Sequence, residues 1–333
     1  MRYPTLAAGL LIASGITTTG AAADTPTLTI YTYDSFTTDW GPGPAVADAF
    51  EAQCDCTVEF IGTGDGAELL ARLQLEGERS PADIILGLDT NLTARAMETG
   101  LFAEHGVEPP AFDLPVEWDD PVFLPFDWGY FAFVYDSERL DEVPGSFEEL
   151  IESDLSILIQ DPRSSTPGLG LLMWVKEAYG ERAPEIWEGL APRITTVTRG
   201  WSEAYGLFLD GEADMVLSYT TSPAFHLIAE EDDTKAAAHF AEGHYLQVEV
   251  AGVLENAPEP ELAREFMEFM LTDAFQSQIP TTNWMYPAVT PADGLPEGFE
   301  TLMVPERALL MSPEEAAAMR DAALEVWRDA LSR

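Results

Sequence analysis

ADIILGL, residues Ala82–Leu88, reads as a short continuous apolar run of strand length, with Asp83 its one polar residue. A strand wetted on one face alternates apolar with polar residues. A strand without alternation is covered on both faces, as when helices sandwich a parallel sheet. TARAMETGLF (Thr93–Phe102) follows with helical content and a stop near Gly100. The same succession recurs upstream, where LTIYTY (Leu28–Tyr33) reads as a strand and AVADAFEA (Ala45–Ala52) as a helix launched after a Gly-Pro turn. Downstream, FAFVYD (Phe131–Asp136), ILIQDP (Ile157–Pro162), DMVLSY (Asp214–Tyr219) and YLQVEVAGVL (Tyr245–Leu254) read as further strands. Strand–helix alternation predicts an α/β protein whose sheets are mixed but largely parallel and flanked by helices.

The chain has 333 residues, 46% of them hydrophobic. That is enough for about two domains, and the strands divide into two sheets, giving two lobes with a cleft between. Extended segments at Phe126–Tyr130 and Gln247–Gly252 are the expected crossovers. Lobe 1 then takes 24–127, with 248–285 returning to it, and lobe 2 takes 128–247, with 286–333 packing as C-terminal helices. In ELAREFMEFM, Leu262, Phe266, Phe269 and Met270 share one helical stripe. The last helix opens at SPEE, with Ser312 as N-cap, Pro313 in the first turn and Glu315 closing a capping box. Its expected apolar stripe is Met319, Ala323, Val326, Trp327 and Leu331.

Residues 1–23 carry the marks of a cleavable export signal. Arg2 precedes an apolar stretch from Leu6 to Ile16, and small residues lead to an A-x-A-like site at Ala21–Ala23. Ile16 stands where a lipoprotein would need cysteine. The expectation is a free protein in the periplasm. The formal charge is −43, from 59 acids against 16 bases. Such a charge repels nucleic acid and anionic membranes. Because the acids are spread along the chain, it is read as a halophilic acidic surface, tolerable where salt shortens the reach of repulsion. Cys54 and Cys56 are the two cysteines. An oxidising compartment favours a bridge and the short spacing opposes one, so the pair stays open. A metal site would need more ligands than they supply.

No catalytic or phosphate-cradling motif is present, and His105, His226, His239 and His244 lack the spacing of a metal site. What stands out is a set of segments at strand ends and helix starts that combine hydroxyls and Gly/Pro, all but one of them with aromatics. These are YDSFTTDWGPGP (Tyr33–Pro44), PFDWGY (Pro125–Tyr130), DPRSSTPGLG (Asp161–Gly170), GWSEAYG (Gly200–Gly206), SYTTSPAF (Ser218–Phe225) and NWMYP (Asn283–Pro287). Aromatic faces suit a flat or cationic ligand, and hydroxyls with helix N-terminal amides suit an oxyanion.

These segments, together with EGHYLQVEVA (Glu242–Ala251), resemble the periplasmic thiamine-binding proteins of thiamine ABC transporters across essentially the whole mature chain. The resemblance implies a two-lobed type II periplasmic-binding-protein fold with the ligand cleft between lobes. It implies capture of thiamine, thiamine monophosphate or thiamine diphosphate, and delivery to an inner-membrane permease with its ATPase, without catalysis or cofactor. A monomer is the default. Carried onto matching positions, Asp65 and Gly66 would read the aminopyrimidine, Tyr33 and Trp40 line that side, and Trp284 stack on the ligand. Ser165, Trp201, Tyr219, Thr220, Thr221 and Ser222 would receive the phosphate. Phe225 stands where the family has tyrosine, keeping the ring and losing a hydroxyl. The alternatives are a binder of the same fold for a polyamine or ferric iron, or a secreted hydrolase.

Overall fold

The computed structural model describes residues 25–332, so the expected signal at 1–23 lies outside the described residues. The first half runs β1 (Thr27–Thr32), α1 (Gly43–Glu51), β2 (Thr57–Gly62), α2 (Gly66–Glu76), β3 (Ile84–Asp89), α3 (Thr90–Glu98) and β4 (Phe123–Asp136). Next come α4 (Phe147–Glu152), β5 (Ile157–Gln160), α5 (Thr166–Tyr179), α6 (Ala183–Leu190), β6 (Ile194–Thr198), α7 (Trp201–Leu209), β7 (Met215–Tyr219) and α8 (Pro223–Ala229). The chain closes with β8 (Lys235–Ala237), β9 (His244–Val253), α9 (Pro260–Phe269), α10 (Asp273–Gln276), β10 (Tyr286–Pro287), β11 (Ala308–Leu309) and α11 (Pro313–Leu331).

The main strands form one ladder in the order β2-β1-β3-β9-β4-β7-β5-β6. Its two wings are parallel: β1 pairs with β2 and β3, and β5 with β6 and β7. The middle is antiparallel, because β9 lies between β3 and β4, and β4 also pairs with β7. Every position of β3 is buried, as the apolar run Ile84–Leu88 requires, and the burial extends to Asp89 at its end. One strand, β4, spans both the expected crossover at Phe126–Tyr130 and the expected strand at Phe131–Asp136. Its pairing with β9 shifts between Pro125 and Asp127. Proline cannot donate to a ladder, and an irregularity is where a sheet tolerates it.

Helices cover the sheet with two large cores. Tyr31, Leu69, Phe133 and Trp174 belong to one, and Phe36, Phe50, Phe126 and Phe266 to the other. The expected capping box at Ser312 and Glu315 is formed. Met319, expected on the buried stripe of α11, is 41% exposed instead. The helix buries Ala316, Ala323 and Ala330, small residues that let it lie close against α3, α5 and α6, and anchors itself there with the buried Trp327. It thus touches helices from both halves of the chain. Cys54 and Cys56 are disulfide-bonded, with Cα atoms 5.2 Å apart. Among the described residues no helix is long and apolar enough to cross a membrane.

Candidate functional site

The loop after β1, the starts of α2, α5, α7 and α8, strand β9 and the segment before β10 converge on one cavity of about 590 Å³. Among the rings facing it are Tyr33, Trp40, Trp201, Tyr219, Phe225 and Trp284. Tyr205 also faces it, stacked on Trp201 with centroids 5.1 Å apart. Behind it, the Tyr205 hydroxyl lies 3.0 Å from Nε2 of His226, whose Nδ1 meets Glu230 at 2.7 Å. This wall is braced from behind, so its rings hold their orientation.

Trp284 has φ 57° and ψ 37°, a left-handed backbone. For a residue with a side chain that conformation costs about 1–2 kcal/mol. It follows a single wide turn, Ile279–Asn283, and the Trp284 amide donates to Ile279 O at 2.9 Å. The turn aims the indole at the cavity, edge-on to Phe225 at 5.4 Å.

Asp65 is the N-cap of α2, and its Oδ2 accepts the Trp201 amide of α7 at 3.1 Å. The Gly66 amide donates to Thr166 Oγ1 at 3.1 Å, the Glu68 amide to Ser164 O at 3.1 Å, and Arg199 pairs with Glu68. The start of α2 is thereby tied across the site to the starts of α5 and α7. Burial pushes the Asp65 carboxyl up to about 6, against the lowering pull of Ser165 and the Trp201 amide.

The cavity's second acid is Glu249 on β9, which accepts the Tyr33 hydroxyl at 3.0 Å. Burial raises its proton affinity well above that of an ordinary carboxylate, and Asp127 beside it adds to the effect. Among the described residues lining the cavity there is no lysine, arginine or histidine. Such a site attracts cations, and the N-terminal turns of α5 and α7 border it through Thr166, Trp201 and Ser202.

Eight of the expected site residues line this cavity: Tyr33, Trp40, Asp65, Trp201, Tyr219, Ser222, Phe225 and Trp284. Gly66, Ser165, Thr220 and Thr221 do not. All four are buried behind the wall, where the Thr220 amide donates to Tyr130 O and Thr221 Oγ1 meets the Met285 sulfur. Thr166 lines the cavity where Ser165 does not, because the helix begins there and turns Ser165 inward. Sequence reasoning missed Gln247 and Glu249. Their signal was present: two polar residues at alternate positions of an otherwise apolar strand share one face.

The profile of the bacterial extracellular solute-binding proteins matches residues 38–277. The chain is 54% identical over 310 residues to the thiamine-binding periplasmic protein of Escherichia coli K12, covering 92% of this chain and 94% of that one. Identity to the protein of the same name from Brucella suis is 50% over 315 residues, covering 94% of each. A solved periplasmic thiamin binding protein superposes with a TM-score of 0.90 at 52% identity, over 98% of this chain and 100% of that one.

Proposed function

The chain belongs to the bacterial extracellular solute-binding proteins, and within that family we propose that it captures thiamine and its phosphates and hands them to an ABC importer. The observation that carries this reading is the cavity itself. Aromatic faces surround it, two carboxyls open into it, and no basic side chain of the described lining competes for them. Thiamine offers an aminopyrimidine and a cationic thiazolium, which match rings and acids in turn. High identity to proteins named for thiamine binding supports the same ligand. A phosphate tail would meet the N-terminal turns of α5 and α7 through Thr166, Trp201 and Ser202, with Ser222 beside them.

The lobes are placed at 24–127 with 248–285, and at 128–247 with 286–333, the strands β4 and β9 crossing between them. The helix α11 bridges the two, since it packs on α3 as well as on α5 and α6. The protein works as a monomer in the periplasm, released there by its export signal, and its acidic surface suits high salt. It binds without transforming its ligand.

Titration calorimetry with thiamine, thiamine diphosphate, spermidine and ferric citrate tests the assignment. Thiamine is expected to bind more tightly than about 10 μM, near −7 kcal/mol. Preference for spermidine or iron would replace it. Mass spectrometry of the recovered thiamine, unchanged, separates a carrier from a hydrolase.

A further inference from the structure

Three carboxyls stand side by side across the middle of the sheet. Glu249 on β9 is directly opposite Asp89 on β3 and directly opposite Asp127 on β4. Opposed residues on adjacent strands bring their side chains to the same face within about 5 Å. Asp89 and Asp127 are fully buried, and Glu249 is 6% exposed. Like charges so placed repel strongly when desolvated, so the row is stable only if it holds a proton.

Among the described residues lining the cavity, none carries a positive charge to offset the row. From the loop after β1, the Tyr33 hydroxyl donates to Glu249. From the turn before β10, Asn283 donates to Asp127 Oδ2 at 2.6 Å, and Asn91 of α3 donates to Asp89 Oδ2 at 2.7 Å. Asp65 from α2 and the Tyr219 phenol from β7 share the same field. Burial pushes the Asp89 carboxyl up to about 7 and raises Asp127 as well. Gln247, on the same face of β9 as Glu249, is fully buried, lines the cavity and has neither amide atom partnered. An unpaired buried amide beside a row of acids marks where a polar ligand completes the hydrogen bonding.

We propose that Glu249, backed by Asp127 and Asp89, is the counter-charge for the ligand's cationic ring, and that a proton shared by these carboxyls leaves as the cation enters. The exchange balances. One proton departs to solvent, one cationic ring arrives, and the buried site keeps its net charge. No bond is made or broken beyond the carboxyl O–H. Glu249 thereby sets specificity: a neutral ring of the same shape displaces no proton and gains no ionised partner. The inference rests on reading the ligand as thiamine.

Calorimetry of thiamine binding near pH 7, in two buffers of different ionisation enthalpy, counts the protons. Release approaching one proton per ligand is expected, with affinity rising up to about tenfold per pH unit between roughly pH 6 and 8. A thiamine isostere carrying a neutral thiophene in place of the thiazolium is expected to bind without release. In Glu249→Gln, whose amide oxygen still accepts the Tyr33 hydroxyl, thiamine is expected to bind at least tenfold more weakly and the release to vanish. Thiamine binding with no proton released from the native protein overturns this inference alone, whether or not the variant folds. Unchanged release in a folded Glu249→Gln does the same. Failure of thiamine to bind at all overturns the proposed function with it.

Discussion

Trp284 is where a single residue carries conflicting demands. Its left-handed backbone works against folding, yet its indole lines the cavity and packs against Ala224, Phe299 and Leu302. Strain of this kind persists where the surroundings enforce it, and it concentrates at ligand clamps. Truncation separates the two demands. Both Trp284→Ala and Trp284→Gly remove the ring, so each is expected to weaken thiamine binding by about 2 kcal/mol or more. Glycine accepts the left-handed conformation that alanine resists. The Gly variant is therefore expected to be more stable to urea than the Ala variant by about 1 kcal/mol. Equal stability would show that the backbone is not strained, and undiminished affinity would remove Trp284 from the site. The indole was legible in NWMYP as an aromatic among turn residues. Its backbone was not, because tryptophan carries no local signal for a left-handed conformation. Glu249 was hidden for a different reason, since in so acidic a chain one more carboxylate attracts no notice until the register places three together.

At the scale of the element, two glycines need a tertiary reason. DPRSSTPGLG reads as a strand end and helix start, and α5 runs from Thr166 and holds both Gly168 and Gly170. A glycine in a helix normally costs up to about 1 kcal/mol against alanine, so Gly170→Ala would ordinarily stabilise. Here a Cβ at Gly170 would come within 2.0 Å of the edge of the Phe131 ring on β4, and one at Gly168 would meet the backbone of Gln160 and Asp161. Phe131 cannot retreat, because it packs against Tyr219 with centroids 5.2 Å apart. Overpacking of this kind costs about 1–3 kcal/mol, which outweighs the propensity gain. Gly170→Ala is therefore expected to lower the urea midpoint, and a raised midpoint would show that the helix can slide. The strands were more legible. β3 and β9 declared themselves by apolar length, whereas β4 read as a short strand and a separate crossover because Pro125 and Gly129 interrupt its pattern. Proline there fits an irregularity in pairing with β9, a tertiary fact that no local pattern contains.

The whole molecule carries a formal charge of −43, and this sets how it responds to its medium. Proton binding gives the first consequence. Burial holds Asp65 at about 6 and Asp89 at about 7, above the unfolded value near 4. The folded protein thus binds more protons than the unfolded chain between about pH 4 and 7, so stability is lost as pH rises through that window. Surface repulsion grows in the same direction. Asp161 is lowered by Arg163, and the stabilisation it adds is lost only at pH below the ordinary carboxylate range. The ligand-free protein is therefore expected to melt higher near about pH 5.5 than near about pH 8 at fixed salt, and the reverse order would contradict the buried acids. Ionic strength gives the second consequence. At about 10 mM salt the screening length is about 30 Å, so surface carboxylates act on one another across much of the molecule; at about 1 M it is about 3 Å. Compactness then costs self-repulsion at low salt and little at high salt. Hydrophobic burial in two large cores does not depend on this screening, so the protein is expected to remain folded but melt lower in dilute buffer. Melting temperature should climb with sodium or potassium chloride alike, most steeply at low concentration where screening changes fastest. A melting temperature flat from about 10 mM to 1 M would remove the charge from the stability argument and leave the acidic surface without a physical role.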